Sequence, residues 1–472
     1  MNRRFLRSLH EQHLEEISAQ YERRVAFLDD VEVDLGDVAG LEVRIEAHLD
    51  ALVVGAQPAL ELCAERSIDG DVGELFAAIC VFCRQGRQDL VEATLERIQE
   101  DTESEDADAA AEAADRDEER ARDPAYDDEA NAPVLTASGA LADALRMESP
   151  LHWESLYKTL LAHPNAAIRA AAAPAIATAG LKLGPELTAA ASQPASAGRA
   201  APLLIGLGRL REPSASEVLT QYAQQVGADE APSATLALLR FGYSSTVSYV
   251  AGLATEHPWA ASLLSICGGA SHAAIIASRL AQGTVAPEEI VAAGLFGNTA
   301  VIPRLLECLE EGLRPTWTAQ ALYLLTAAPL HETVVEDVAE IELVEGDESV
   351  PAEPDPRDQI EVARLSEDPV AWRQWWQEHE AAFQLGKRYR LGQLASPEVC
   401  GQTLRCFVLR RVVRQRAADE IGLRYGPSID LDVDLRAHRL AKALAGLSAL
   451  RNAEPTIARS DGAWLFARAL SR

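Results

Sequence analysis

The chain has 472 residues, with 43 Lys and Arg against 73 Asp and Glu, a formal net charge of -30. That balance disfavours direct binding to nucleic acid or an anionic membrane and makes a basic partner the natural one. Hydrophobic residues make up 48% of the chain and aromatic residues 5%, which fits an Ala- and Leu-rich helical protein and excludes an ordinary all-β one.

The length suits two or three domains. No stretch reaches the roughly 18 uninterrupted apolar residues of a membrane span. Met1 to Ile17 lacks the apolar centre of a cleaved signal peptide, and the seven cysteines, scattered from Cys63 to Cys406, form no disulfide framework. Cytoplasm is the compartment expected.

Residues 1–99 read as an N-terminal helical domain. Asp37 is placed as the cap of a helix whose stripe is Leu41, Ile45, Leu49 and Leu52, with Gly70 and Gly86 punctuating helices from Gly73 to Cys83 and from Gln88 to Ile98. Cys80-Val81-Phe82-Cys83 has the spacing of a redox or zinc pair. It lies late in an apolar helix with no companion pair, so two buried core residues are expected.

Residues 100–130 follow as an acidic linker. Between 100 and 129 there are fifteen acidic and three basic side chains, around Glu103, Glu105, Asp106 and Asp108, with too few apolar residues to offset the entropy of ordering. Residues 332–368 hold fourteen acidic and two basic residues with Pro351, Pro354 and Pro356, and read as a second acidic linker.

Between the linkers, residues 131–331 carry an internal repeat. Gly208, Gly242, Gly269 and Gly297, spaced 34, 27 and 28 residues apart, each close a helical stretch. A second amphipathic stretch follows each: Glu217 to Tyr222, Thr246 to Leu253, Ala273 to Leu280, and Val301 to Leu309. Two short helices per period predict an all-α fold, an α-solenoid of helical hairpins with helical N- and C-terminal pieces. The clearest copy, His163-Pro164-Asn165-Ala166-Ala167-Ile168-Arg169, resembles the turn and second helix of a HEAT repeat. That resemblance implies that Arg169 bonds neighbouring repeats together. Only 25 of these 201 residues are charged, which leaves two readings open: an apolar protein-binding face, including Leu253 and Leu280, or Ala in place of charge on exposed helices.

Residues 369–472 form a basic C-terminal helical domain, with seventeen Lys and Arg against ten Asp and Glu. Asp368 caps a helix start containing Trp372, Trp375 and Trp376, and Lys387-Arg388-Tyr389-Arg390 precedes a basic helix from Leu404 to Ala417 carrying Arg410 and Arg414 on its surface. Basic residues beside aromatics suit nucleic acid. The favoured reading packs the Arg stems on a Trp core and turns their charge to the chain's own acidic linkers.

Several segments together resemble a family of bacterial HEAT-repeat-like proteins. At the N-terminal end these are His13-Leu14-Glu15-Glu16, Ala26-Phe27-Leu28, Ile45 to Leu52 with Gly55, and Gly73-Glu74-Leu75-Phe76-Ala77-Ala78. At the C-terminal end they are Trp375-Trp376, Phe383, Gly386, Arg388-Tyr389 with Gly392, and Arg410-Arg411 ahead of Ala417, Asp419 and Glu420. Members of that family are frequently encoded beside type VI secretion genes, so the resemblance implies an accessory role in that system without fixing an activity. The acidic insert at 100–129 departs from the family pattern.

No phosphate-cradling glycine loop, nucleophile elbow or metal-ligand helix is present in the sequence, so no catalytic, cofactor or metal site is expected. His10-Glu11-Gln12-His13 spaces its histidines three apart and reads as a helix face. Asp430, Asp432 and Asp434 alternate like a calcium loop, but the glycine of the sixth position is missing, with Arg436 near its place, and no Glu closes the twelve, so a turn is expected. The repeat region's net charge of -3 counts against a DNA-gripping solenoid.

Two functions remain. The first is an immunity protein that binds and occludes a toxic type VI effector, for which an acidic inhibitor of a basic nuclease groove is suited. The second is an effector chaperone or loading adaptor using the charge-poor face. The candidate partner-binding residues are Glu103, Glu105, Asp106, Asp108, Leu253, Leu280, Trp375, Trp376, Arg388 and Arg410.

Overall fold

The structure, a computed structural model, describes residues 3–31, 33–104, 134–195, 198–282, 285–337, 359–406, 408–426, 431–449 and 461–466. Most of them are helical. They group into two compact units: Met1–Asp29, Leu35–Ser248 and Pro427–Ala445 in the first, and Asp30–Asp34, Tyr249–Gly426 and Gly446–Arg472 in the second. Three pieces were expected from composition. The grouping instead follows the continuity of the core, since one apolar cluster runs from Leu14 to Leu238.

The first unit opens with α1 (Arg3–Asp29), α2 (Leu35–Val54), α3 (Ala56–Asp69), α4 (Val72–Arg84), α5 (Gln88–Ala93) and α6 (95–104). The predicted stripe Leu41, Ile45, Leu49 and Leu52 is buried. Asp37 sits inside the first turn of α2 and not at its cap, where its charge still favours the helix dipole. The central helix is α4, buried from Gly73 to Cys83 and fixed at its start by a capping box in which Asp71 accepts from the Glu74 N–H at 2.7 Å and Glu74 accepts from the Asp71 N–H at 3.1 Å. Residues 100–104, assigned to a linker by composition, continue α6, with Thr102 buried. The rest of that expected linker, 105–130, lies outside the described residues.

Helix pairs follow. After α7 (Ala137–Glu148) come α8 (Glu154–Leu161) with α9 (Ala166–Ala179), α10 (Gly184–Ala191) with α11 (Ala201–Leu210), and α12 (Ser216–Gln224) with α13 (Ala231–Arg240). Helices α4, α7, α9, α11 and α13 touch in succession, while α8, α10 and α12 each lie on the second helix of their own pair. Asn165 caps α9 as predicted, accepting from the Ala167 and Ile168 N–H groups at 2.9 and 3.2 Å. The Arg169 guanidinium, 1% exposed, donates to the carbonyls of His163 and Pro164 in its own turn and of Pro194 in the next, at 2.6 to 2.8 Å.

Two repeat glycines, Gly208 and Gly269, have roles different from those expected. Gly208 lies inside α11, and the left-handed cap is Arg211 (φ 52°). A Cβ on Gly208 would stand 2.5 Å from the Cα of Ala237, so its absence lets α11 and α13 approach closely. Gly242 and Gly297 do end helices with positive φ, whereas Gly269 is extended, at φ -99°. Gly208→Ala is expected to lower stability by about 1–3 kcal/mol through overpacking. Gly227→Ala, where an added Cβ meets nothing within 4 Å, is the control expected to leave urea unfolding unchanged.

The units divide within α14 (Ser244–Leu253). In the second unit, α15 (Pro258–Cys267), α17 (Pro287–Phe296) and α19 (Pro315–Thr326) touch in order, with α16 (Ala273–Leu280) on α17 and α18 (Ile302–Glu310) on α19. The predicted second stretches of the repeats thus fall in α12, α14, α16 and α18.

Strands appear where a linker was expected. β1 (His331–Asp337) pairs antiparallel with β2 (Gln359–Leu365), from His331 opposite Leu365 to Asp337 opposite Gln359. Val334 opposite Val362 is a β-branched pair, and Glu332 faces Arg364, so cross-strand pairing explains the order at both ends of this acidic segment. Residues 338–358 lie outside the described residues.

α20 (Pro369–His379) begins at the predicted cap Asp368, which accepts from the Val370 N–H at 2.9 Å. The short β3 (Tyr389–Arg390) and β4 (Gln393–Leu394) then lead to α21 (Pro397–Thr403) and α22 (Arg411–Tyr425). The helix expected from Leu404 to Ala417 is therefore broken. Residues 404–410 are non-helical among those described, and the apolar spacing of Leu404, Val408 and Val412 was too short a run to mark one helix. In the first unit, residues 431–436 precede α23 (Ala437–Ala445), which packs on α2.

Candidate functional site

Helix C-termini leave carbonyls without intrahelical partners. In the second unit the basic C-terminal residues satisfy them. The Tyr389 N–H donates to the Gly297 carbonyl at 2.8 Å, Leu391 N–H to Leu324 at 2.7 Å, and Gly392 N–H to Leu325 at 3.1 Å, which seats residues 389–392 on the ends of α17 and α19. Gly297 and Gly392 are required there, because a Cβ on either would approach a carbonyl oxygen, of Tyr389 or Thr326, to 2.7 or 2.6 Å. α22 packs on α15 and α17, and β3 on α19.

Arginines complete this arrangement. Arg388, Arg390 and Arg424 are all fully buried and converge on one carboxylate, that of Glu420, which is also fully buried. Arg388 Nη2 donates to Glu420 Oε1, Arg390 Nη2 to Oε2 at 2.6 Å, and Arg424 Nε to Oε1 at 2.9 Å. Other donors of these arginines reach carbonyls: Phe296 from Arg388 at 3.2 Å, Leu295 from Arg390 at 2.7 Å, and Ser265, Gly268 and Leu465 from Arg424 at 3.2, 3.1 and 2.7 Å. Burial alone would raise the Glu420 carboxyl, but Arg388, Arg390 and Arg424 outweigh it and hold it down to about 2. Burial, with Arg388 beside it, lowers Arg424 to about 10.

A second buried charge cluster lies in the first unit. Asp432 accepts from Arg209 at 2.8 Å and Arg146 at 3.5 Å, and Arg146 also reaches Asp434 at 3.0 Å and Asp143 at 2.5 Å. Arg436 pairs with Glu46 and Glu148, and both the Arg24 Nε and the Ala437 N–H donate to Glu42, at 2.8 and 2.7 Å. The residues just before α23 are thereby clamped onto α1, α2, α7 and α11. The alternating aspartates predicted as a turn do form one, and Asp432 and Asp434 take arginines as partners. Asp430 lies outside the described residues.

Among the described sequence-predicted site residues of the second unit, no hydrogen bond or ring contact joins one to another. Leu280 is fully buried and offers no surface, because it faces the core side of α16; Leu253 is half-buried. Arg388 is likewise interior, and Arg414, expected at the surface, is 1% exposed with its Nε donating to the Leu409 carbonyl. Arg410 starts α22, with its Cζ 4.7 Å from the Trp317 ring centroid. Trp375 stacks on His379 at 4.3 Å, and Trp376 lies 5.2 Å from Phe383. Glu103 is exposed on α6, where it accepts from Gln99 at 2.9 Å. Glu105, Asp106 and Asp108 lie outside the described residues.

The sequence reading missed Arg390, Glu420, Arg424, Arg146 and Arg209 as cluster members. The reading that turned the basic piece toward the acidic linkers falls mostly on 105–130 and 338–358, which lie outside the described residues. Arg388, Arg390 and Arg424 pair with Glu420 and carbonyls.

Other motifs are structural. Cys80 and Cys83 are buried in α4, and burial pushes both thiols up. His10 is buried, while the Nδ1 of His13 stands 2.8 Å from that of His48 on α2. Among the described residues no three His, Cys, Asp or Glu side chains group as a metal site, and no helix is long and apolar enough to cross a membrane. No protein family, curated protein or solved structure matches this chain.

Proposed function

We propose that the chain is a non-enzymatic, protein-binding α-solenoid of HEAT-like pairs that serves type VI secretion as a cytoplasmic immunity protein, binding and occluding a toxic effector with a basic surface. The helix pairs in each unit, with Arg169 bonding one turn to the next, support the solenoid part of this reading.

The observation that carries the functional part is the segregation of charge. Among the described residues the buried charged side chains comprise nine arginines and seven carboxylates. The remainder of the chain is therefore more negative than the formal -30 of the whole. A net acidic charge outside the buried side chains speeds encounter with a basic protein and repels nucleic acid.

The test is genetic and direct. Removing the gene from a recipient cell should make it sensitive to the effector delivered by kin, with effector secretion from the donor unchanged. Loss of secretion from a donor lacking the gene, with recipients still resistant, would replace this reading with the loading-adaptor one.

A further inference from the structure

The Glu420 cluster is not balanced. Three fully buried guanidiniums face one carboxylate, which leaves two positive charges in surplus where no side chain is exposed. The helix ends offset part of this, since the C-termini of α15 and α17 each present roughly half a negative charge through the carbonyls already named. About one positive charge remains.

Among the described residues, the two thiols and the hydroxyl acting on Arg388 and Arg424 supply none of the missing charge. Burial pushes the Cys400 thiol up to about 11 and Cys267 up to about 12, and it drives the Tyr425 hydroxyl well above its usual value. All three are neutral at physiological pH.

Hydrogen bonding shows where the imbalance is felt. Among the described residues, Arg388 Nη1, Arg390 Nε and Arg390 Nη1 find no hydrogen-bond partner. An unpaired buried donor on a charged group is costly to stability. Arg388 and Arg390 are two residues apart on extended chain and so share a side, as their separate bonds to the two oxygens of Glu420 require. The Trp464 ring, 5.4 Å from the Arg388 Cζ, lies over the guanidinium.

We propose that Arg388 and Arg390 bind one small inorganic monoanion of halide size, chloride being the physiological form, through these unpaired N–H groups. A single charge matches the remainder, and full burial of both side chains favours a monatomic ion over phosphate or sulfate. The ion would lock residues 388–392 onto the ends of α17 and α19 and act as a structural cofactor of the second unit.

The test uses the full-length protein. Melting is followed from about 1 to 500 mM potassium chloride, with potassium gluconate holding ionic strength constant, and crystals grown in bromide are measured at the bromine absorption edge. The proposal expects the melting temperature to rise saturably by about 3 °C or more with chloride. It also expects an anomalous peak within hydrogen-bond reach of Arg388 Nη1 and Arg390 Nη1. Both results are required. Melting curves that superimpose in the two salts, or bromide found only elsewhere, would overturn it and leave these donors to water.

Discussion

Glu420→Gln is expected to destabilise the protein by about 3–5 kcal/mol, the usual result of removing one partner from a buried ion cluster. Glutamine keeps the volume of the side chain but removes the negative charge on which three fully buried guanidiniums converge. Urea unfolding followed by tryptophan fluorescence would measure the loss, since Trp372 and Trp464 belong to the same unit. An acid titration gives an independent readout. The Glu420 carboxyl is held at about 2 in the folded protein against an ordinary 4.5, so its contribution is complete above pH 4.5 and is lost as pH falls toward 2. That span corresponds to about 3 kcal/mol in wild type and should be absent from the variant. Equal acid sensitivity of the two proteins would show that the arginines do not depend on Glu420.

Asp432→Ala is the corresponding expectation for the first unit. Asp432 is 4% exposed and touches both Arg209 and Arg146. Burial would raise its carboxyl, yet Arg209 and Arg146 outweigh that and lower it. Removing it leaves two buried guanidiniums short of a counter-charge and should lower stability by about 3 kcal/mol or more. Because Asp434 and Arg436 bind from the same turn, the variant should also loosen residues 431–445 from α2 and α7, seen as faster amide exchange in α23. A wild-type exchange pattern in α23 would show that its apolar contacts, Leu440 and Leu444, hold it without the ion pairs.

What the sequence made legible is what is local. The stripe of α2, the Asn165 cap, the Asp368 cap and the paired amphipathic stretches are set by residues within one or two turns of each other, so spacing alone identifies them. The Glu420 cluster was not legible. Arg424 lies one turn from Glu420, but Arg388 and Arg390 are 32 and 30 residues away and the Ser265 carbonyl 159 from Arg424. A buried arginine in such a cluster carries the same letter as one at the surface, which is why Arg388 and Arg414 were expected outside. Gly208 was misread for a related reason: a glycine that permits helix approach looks like one that ends a helix until Ala237 is seen against it. The pairing of β1 with β2 joins segments on either side of an acidic stretch whose composition argued for a linker.

Charge placement also changes which surface recognition can use. The row α15, α17 and α19 bears β3 and α22 of its own chain, and Arg146 of α7 and Arg209 of α11 bind Asp432. The charge surplus outside the buried side chains is acidic, and the proposed recognition rests on it.

The most direct test is the rate at which the protein associates with its proposed partner, a toxic effector with a basic surface, as salt is raised from about 50 to 500 mM. Screening shortens the Debye length from about 14 to 4 Å over that range. The account predicts that association slows by about tenfold or more while dissociation changes little, the signature of an acidic surface steering a basic partner. Affinity that is held or strengthened by salt would contradict it and point to burial of apolar surface instead.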